Sequence, residues 1–353
     1  MKGILLHGGH GTRLRPLTHT GPKQLLPIAN KPMSEYCIES MKDAGVTEIA
    51  IIIGGIGSNK VREYYGDGEK FDVKITYVKQ DEPLGISHAI NLCRSFIGDE
   101  KFLVFLGDNI IQKNIYNFAN EFLNSNDDAS ILLCEVDNPS RFGIADMHDG
   151  KITKIMEKPK DPPTNFAVTG IYFLTPKIFD IIDNLKPSWR NELEITDALQ
   201  ILLSENNISY HIITDYWKDT GTPEDIINAN RAILENKTNY FYGEKSDSVS
   251  LTGIVLIGKG TKILGNSQIT GPVIVGENCI LDNVCIGPNC SIGNNSQITN
   301  SNIQNSIVMS DCIINTPIKI RNSIISSNSE IEFKNDSQDE KIFLLGEGTK
   351  ILL

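Results

Sequence analysis

The sequence has no excess of positive charge, no long apolar run and no paired cysteine spacing, and each absence narrows what the chain can do. Its 33 Lys+Arg stand against 44 Asp+Glu, a formal net charge of -11. That balance disfavours broad contact with nucleic acid or an anionic membrane, both of which reward a net positive field. The opening MKGILL meets glycine after a few apolar residues, and no later stretch approaches the roughly 20 apolar residues that span a bilayer. A cytoplasmic protein is expected. Cys37, Cys93, Cys134, Cys279, Cys285, Cys290 and Cys312 are odd in number and include no C-x-x-C pair. A disulfide framework and a zinc knuckle are therefore not suggested, and the cysteines read as small buried hydrophobes.

What is present falls into two halves. The 353 residues, 40% hydrophobic, suffice for two domains with cores. Up to about residue 235, strand-like runs at 3–6, 48–53, 71–78, 101–106 and 129–136 alternate with helix-like runs at 32–44, 60–65, 86–96 and 115–123. Strands joined by helical crossovers predict an α/β domain with a mostly parallel, Rossmann-like sheet covered on both faces. Ligands of such sheets sit beyond the carboxyl ends of the strands. Thr222-Pro223-Glu224-Asp225 predicts the start of the last helix, with Thr222 as N-cap and proline in the first turn.

Beyond it the period changes to six. Ile257, Ile263 and Ile269 recur at that spacing, and after a one-residue deletion near Gly271-Pro272 so do Ile274, Ile280, Ile286, Ile292 and Ile298. No helix repeats every sixth residue on one face. A parallel β-helix with triangular coils does, with aliphatic side chains stacked inside and Gly or Asn at its corners. The expected boundaries are a domain at 1–237, a linker at 238–247, the β-helix at 248–335 and a closing segment at 336–353.

Several segments carry candidate chemistry. The first strand runs into Gly8-Gly9-His10-Gly11-Thr12-Arg13, followed by Arg15 and Lys23. Glycines let backbone N–H groups approach an anion, and the cations add attraction, although the spacing is neither that of a P-loop nor that of a dinucleotide fingerprint. The apolar strand Leu103 to Leu106 ends in Gly107-Asp108-Asn109, where an acid points into the ligand crevice or simply makes a turn. Asp219, in Trp217-Lys218-Asp219-Thr220-Gly221, is a second such acid, also compatible with a plain turn. Two separated carboxylates and substrate phosphates would suit Mg²⁺. Glu157-Lys158-Pro159 displays an acid and a base in a loop between strands. Arg190 to Asp197 is dense in charge before an apolar helix, as a solvated helix start would also be.

Taken in order, GGHGTRLRPLT, PKQLLPIANKPM, FLGDN, EKP, AVTG, RNELEITD and WKDTG resemble the motifs of the sugar-1-phosphate nucleotidylyltransferases. Within that family they are most similar to the glucose-1-phosphate thymidylyltransferase branch, in its long form with a C-terminal left-handed β-helix. The resemblance implies Mg²⁺-dependent, in-line attack of glucose 1-phosphate on the α-phosphorus of dTTP, with pyrophosphate leaving. It further implies that Gly8, Gly9, Gly11 and Thr12 cradle the nucleotide phosphates and that Arg13 stabilises their charge. Lys23 and Lys158 would hold phosphates, Asp108 and Asp219 the metal. Glu157 would meet the sugar hydroxyls, with Gly143, Asn165 and Val168 shaping that pocket. Gln24, Gln80 and Gly85 would take the base.

Thymine differs from uracil by one methyl group, worth about 1 kcal/mol of burial, so some use of UTP is expected. His7 and Asn191 depart from the family pattern, where alanine and glycine are usual. Related bifunctional enzymes use a β-helix histidine for acyl transfer. The six histidines here are His7, His10, His19, His88, His148 and His211, all before the repeats. The repeats are therefore expected to serve homo-oligomer assembly.

Overall fold

The computed structural model describes residues 1–333 apart from 10 and 206. The chain divides into two compact units: Met1–Gly11, Thr20–Leu25 and Met33–Asp219 make the first, and Thr12–His19, Leu26–Pro32 and the chain from Thr220 make the second.

In the first unit, strands β1 (Lys2–Leu6), β2 (Glu48–Ile53), β3 (Lys74–Lys79) and β4 (Phe102–Leu106) run parallel in the order β3-β2-β1-β4. Parallel neighbours need crossovers. These are α1 (Met33–Asp43), α2 (Ser58–Tyr65), and α3 (Ile86–Asn91) followed by α4 (Arg94–Ile97). Because side chains alternate along a strand, Ile4 and Leu6 enter one apolar cluster with Ile52 and Val104, while Leu5 enters another with Ile51, Leu103 and Phe105. Both faces are thus covered, as the continuous apolar runs of these strands require. Gly3 is needed for this packing, since a Cβ there would lie 2.4 Å from the Met41 side chain of α1.

The remaining strands are β5 (Asn109–Ile111), β6 (Ala129–Glu135), β7 (Gly143–His148), β8 (Lys151–Glu157), β9 (Phe166–Leu174), β10 (Ile208–Ile213) and β11 (Trp217–Asp219). Between and after them come α5 (Tyr116–Asn124), α6 (Lys177–Ile182) and α7 (Ile195–Ser204). β9 runs antiparallel to β4, β6 and β7, and β7 pairs antiparallel with β8. The parallel centre is as expected. Its antiparallel flank differs from the expectation because three consecutive strands there are joined without a helix.

The second unit opens with α8 (Pro223–Glu235), where the Asp225 amide donates to the Thr222 hydroxyl at 3.2 Å and proline occupies the first turn. After it come, among the described residues, three parallel sheets of six, six and five short strands, the arrangement of a left-handed β-helix. The residues stacked inside are Ile257, Ile263, Ile269, Val275, Leu281, Ile286, Ile292 and Ile298, all essentially inaccessible to solvent. This corrects the phase expected from sequence. Val275 and Leu281 take the inner places rather than Ile274 and Ile280, and Ile280 is 39% exposed. The shortened step lies between Leu281 and Ile286, not at Gly271-Pro272.

The corners follow the expected chemistry: Asn278, Asn283, Asn289, Asn295, Asn300 and Asn305 all have positive φ, which asparagine tolerates better than most residues. Their side chains form ladders, with Asn295 donating to Asp311 at 3.0 Å and Asn305 to Asn322 at 2.6 Å. Two short strands, Tyr240–Phe241 and Glu244–Lys245, pair with the first coil from within 238–247. The stretch expected as a linker is therefore part of the repeat ladder. The segment 336–353 lies outside the described residues. Six of the cysteines are buried, but Cys285 is exposed: it sits beside inward-facing Ile286 in a two-residue strand, and alternation turns it outward. Among the described residues no helix is long and apolar enough to cross a membrane.

Candidate active site

β1 delivers the chain into Gly8, where several predicted residues meet. The Gln24 side-chain amide donates to the Gly8 carbonyl at 2.9 Å. A Cβ on Gly8 would lie 3.4 Å from Oε1 of Gln80. Gln80 in turn donates to the Gly85 carbonyl at 3.4 Å and lies 3.0 Å from Nδ1 of His88. Gly9 and Gly11 adopt φ of +94° and +59°, so both amides face directions that a residue with a side chain reaches only at a cost. Thr12 and Arg13 are exposed on a single 3-10 turn, Thr12–Leu14, which belongs to the second compact unit.

The end of β4 supplies the acid. Gly107 continues the β1 pairing through its amide to the Leu6 carbonyl at 3.0 Å, and a Cβ there would lie 2.8 Å from that same carbonyl oxygen. Asp108 follows, in an ion pair with Lys23. Burial works against the Asp108 charge, but the Lys23 ammonium and hydrogen bonds from Lys23 and Asn109 outweigh it and hold the carboxyl below its usual range. Asn109 fixes the carboxylate. Its amide donates to Asp108 at 3.1 Å, and its Oδ1 accepts from Trp217 Nε1 at 2.8 Å and the Gly170 amide at 3.3 Å. In the β5–β11 ribbon, Asp219 stands opposite Asn109, and Asp219 and Asp108 line the same cleft.

A cleft of about 180 Å³ is lined by Asp108 and Asp219 together with Gly143, Glu157, Lys158, Val168, Arg190 and Thr196. Glu157, the last residue of β8, accepts from Arg190 at 3.1 Å, from the Thr196 hydroxyl at 3.0 Å, and pairs with Lys158 at 3.1 Å. Gly143 keeps this corner open, since a Cβ would lie 2.6 Å from the Thr196 methyl and 3.5 Å from Glu157. Asn165 is exposed and stands apart from the cleft lining; its carbonyl accepts from the Val136 amide at 3.0 Å.

Arg190, Glu194, Thr196 and Asn109 were not singled out from sequence as site residues. Arg190 also binds Glu192 at 2.9 Å and Glu194 at 3.4 Å, tying three acids together. Burial raises the Glu194 carboxyl above its usual range, against donation from Ser188. Burial, with Glu157 nearby, does the same to Asp197. The signal available was the RNELEITD motif itself. Its fold against the cleft depends on Gly85, whose φ of +105° lets Leu193 donate to the Leu84 carbonyl at 2.8 Å.

Comparison with known proteins gives the family. Residues 2–236 match the family model described as nucleotidyl transferase, and the chain belongs to that family. It is 49% identical over 255 residues to the low-salt glycan biosynthesis nucleotidyltransferase of Haloferax volcanii, covering 72% of this chain and 71% of that one. Glucose-1-phosphate thymidylyltransferase of Streptomyces antibioticus is 40% identical over 278 residues, 78% of each chain. A solved Bacillus anthracis structure assigned as a glucose-1-phosphate thymidylyltransferase, in complex with sucrose, is 41% identical at a TM-score of 0.64, covering 68% of this chain and 97% of its own. The chain is a sugar-1-phosphate nucleotidyltransferase.

Proposed function

We propose that the protein transfers the thymidylyl group of dTTP to glucose 1-phosphate, giving dTDP-glucose and pyrophosphate. The observation that carries this reading is that one cleft is lined by two groups, Asp108 with Asp219, and Glu157 with Lys158 and Arg190. A sugar phosphate bound at the second group faces the phosphate-handling acids of the first. An oxygen of its phosphate attacks the α-phosphorus and forms a new P–O bond. The bond from that phosphorus to the bridging oxygen breaks, and its electron pair leaves with pyrophosphate. The protein's share is positioning and charge neutralisation. Lys158, 36% exposed at its side chain, is free to turn from Glu157 to the sugar phosphate, Lys23 holds the triphosphate beside Asp108, and the Glu157 carboxylate accepts from sugar hydroxyls. Arg13 adds charge to the triphosphate, and Gln24, Gln80 and Gly85 take the base.

The donor set fits Mg²⁺. Asp108 and Asp219 are hard carboxylates lining one cleft, Asp108 next to Asn109 in sequence and Asp219 opposite Asn109 in the ribbon. Mg²⁺ is commonly held by one or two carboxylates with substrate phosphates completing its shell. When bound there it neutralises charge on those phosphates.

The sugar and base are supported by the 40% relative, whose name states glucose 1-phosphate and thymidylyl transfer. A cytoplasmic homo-oligomer assembled through the β-helix completes the reading. Pyrophosphate release across a matrix of nucleoside triphosphates and sugar 1-phosphates, with Mg²⁺, tests it. Best turnover is expected for dTTP with glucose 1-phosphate, followed by UTP. Good turnover with GTP or ATP alone would overturn the base assignment.

A further inference from the structure

The loop after Lys23 and Gln24 is where the two compact units exchange chain. Thr20–Leu25 belongs to the first unit, Leu26–Pro32 to the second, and from Met33 the chain is back in the first. Leu25 and Leu26 are consecutive, so whatever fixes 26–32 fixes the C-terminal attachment of the Lys23–Leu25 turn.

The segment is held from within its own unit. Pro27–Ile28 and Lys31–Pro32 form a minimal hairpin, with left-handed Ala29 (φ 48°) and Asn30 (φ 63°) between them. A left-handed alanine persists only where its surroundings enforce it. Here the Ala29 amide donates to Oδ1 of Asn230 on α8 at 2.8 Å, and the Ser291 hydroxyl donates to that same oxygen at 2.6 Å. The Asn30 side-chain amide donates to the Ile292 carbonyl at 2.6 Å. Asn230, Ser291, Ile28 and Ala29 are buried, so the two bonds to the Asn230 oxygen are shielded from water and costly to break. α8 and the coil at 290–292 thus clamp the hairpin that follows the nucleotide-gripping residues.

We propose that Asn230, with Asn30, positions Lys23 and Gln24 for the nucleoside triphosphate, and that the β-helix thereby serves substrate binding as well as any role in assembly. The proposal rests on the nucleotidyltransferase activity, not on which nucleotide or sugar is preferred. Asn230→Leu removes the shared acceptor. Asn230→Asp keeps an oxygen for both donors. Asn30→Gly removes one amide while leaving the left-handed backbone easy. KM values for both substrates would be measured with whichever pair the wild type turns over best.

Asn230→Leu and Asn30→Gly are expected to raise the nucleoside triphosphate KM about tenfold, equivalent to about 1.4 kcal/mol, with the sugar 1-phosphate KM within about twofold. Asn230→Asp should lie closer to wild type than Asn230→Leu. If Asn230→Leu fails to fold, Asn30→Gly decides the matter alone. Unchanged KM values, or equal rises for both substrates, would overturn the proposal. A wild type that prefers another nucleotide would sink the thymidylyl reading and leave this test intact.

Discussion

Asp108 is partly buried, yet its carboxyl is held below its usual range, chiefly by Lys23 and further by hydrogen bonds such as that from Asn109. His7, immediately before the glycine turn, shows the opposite outcome. It is buried, both ring nitrogens lack a hydrogen-bond partner among the described residues, and its ring meets Tyr65 edge-on at 5.9 Å. Burial pushes the imidazole from 6.5 down to about 3, with Asp108 pulling more weakly the other way. Between those values the unfolded chain binds a proton that the folded chain does not, so stability falls as pH falls through that window. His7→Leu should flatten this dependence. Urea midpoints measured from pH 6.5 down to pH 4 should decline less steeply in the variant, and an identical decline would show that His7 is not the group responsible. Asp108 and Glu157 were legible in sequence because each follows a strand-like run. Arg190 was not, since its role arises from contact with Glu157 across 33 positions of chain.

For the elements, the sequence announced periods better than phases. The six-residue repeat was visible, but Ile274 and Ile280 satisfy it as well as Val275 and Leu281 do. Only the ladder decides, pairing Ile263 with Leu281 and Leu281 with Ile298. Composition cannot locate a one-residue deletion when adjacent positions are both aliphatic. The asparagine corners were legible because few residues tolerate positive φ. The two alternatives predict opposite energetics. Leu281→Ala should cost about 2–5 kcal/mol, the usual range for truncation in a packed core, and Ile280→Ala under about 1 kcal/mol, because its side chain is already partly solvated. Denaturant unfolding of the two variants compares them directly, and a larger loss for Ile280→Ala would restore the phase read from sequence.

For the whole molecule, a boundary near residue 237 looked natural because the period changes there. The compact units instead divide at Asp219 and Thr220, and they share the first 32 residues in alternating segments. No local pattern records such an exchange, since it depends on Asn230 and Ser291 being near Ala29 in space. What the sequence did hold was the order of the motifs, and with it the reaction class. The central claim is that one centre built on Asp108 and Asp219 activates the triphosphate for the sugar phosphate bound near Glu157. Its most direct test is the rate of pyrophosphate release by Asp108→Asn, at saturating substrates, across a Mg²⁺ titration and with folding checked by circular dichroism. A folded variant whose kcat falls by about a hundredfold or more, in the range known for losing one transition-state electrostatic contact, is the predicted result; wild-type turnover with an unchanged Mg²⁺ dependence would contradict it.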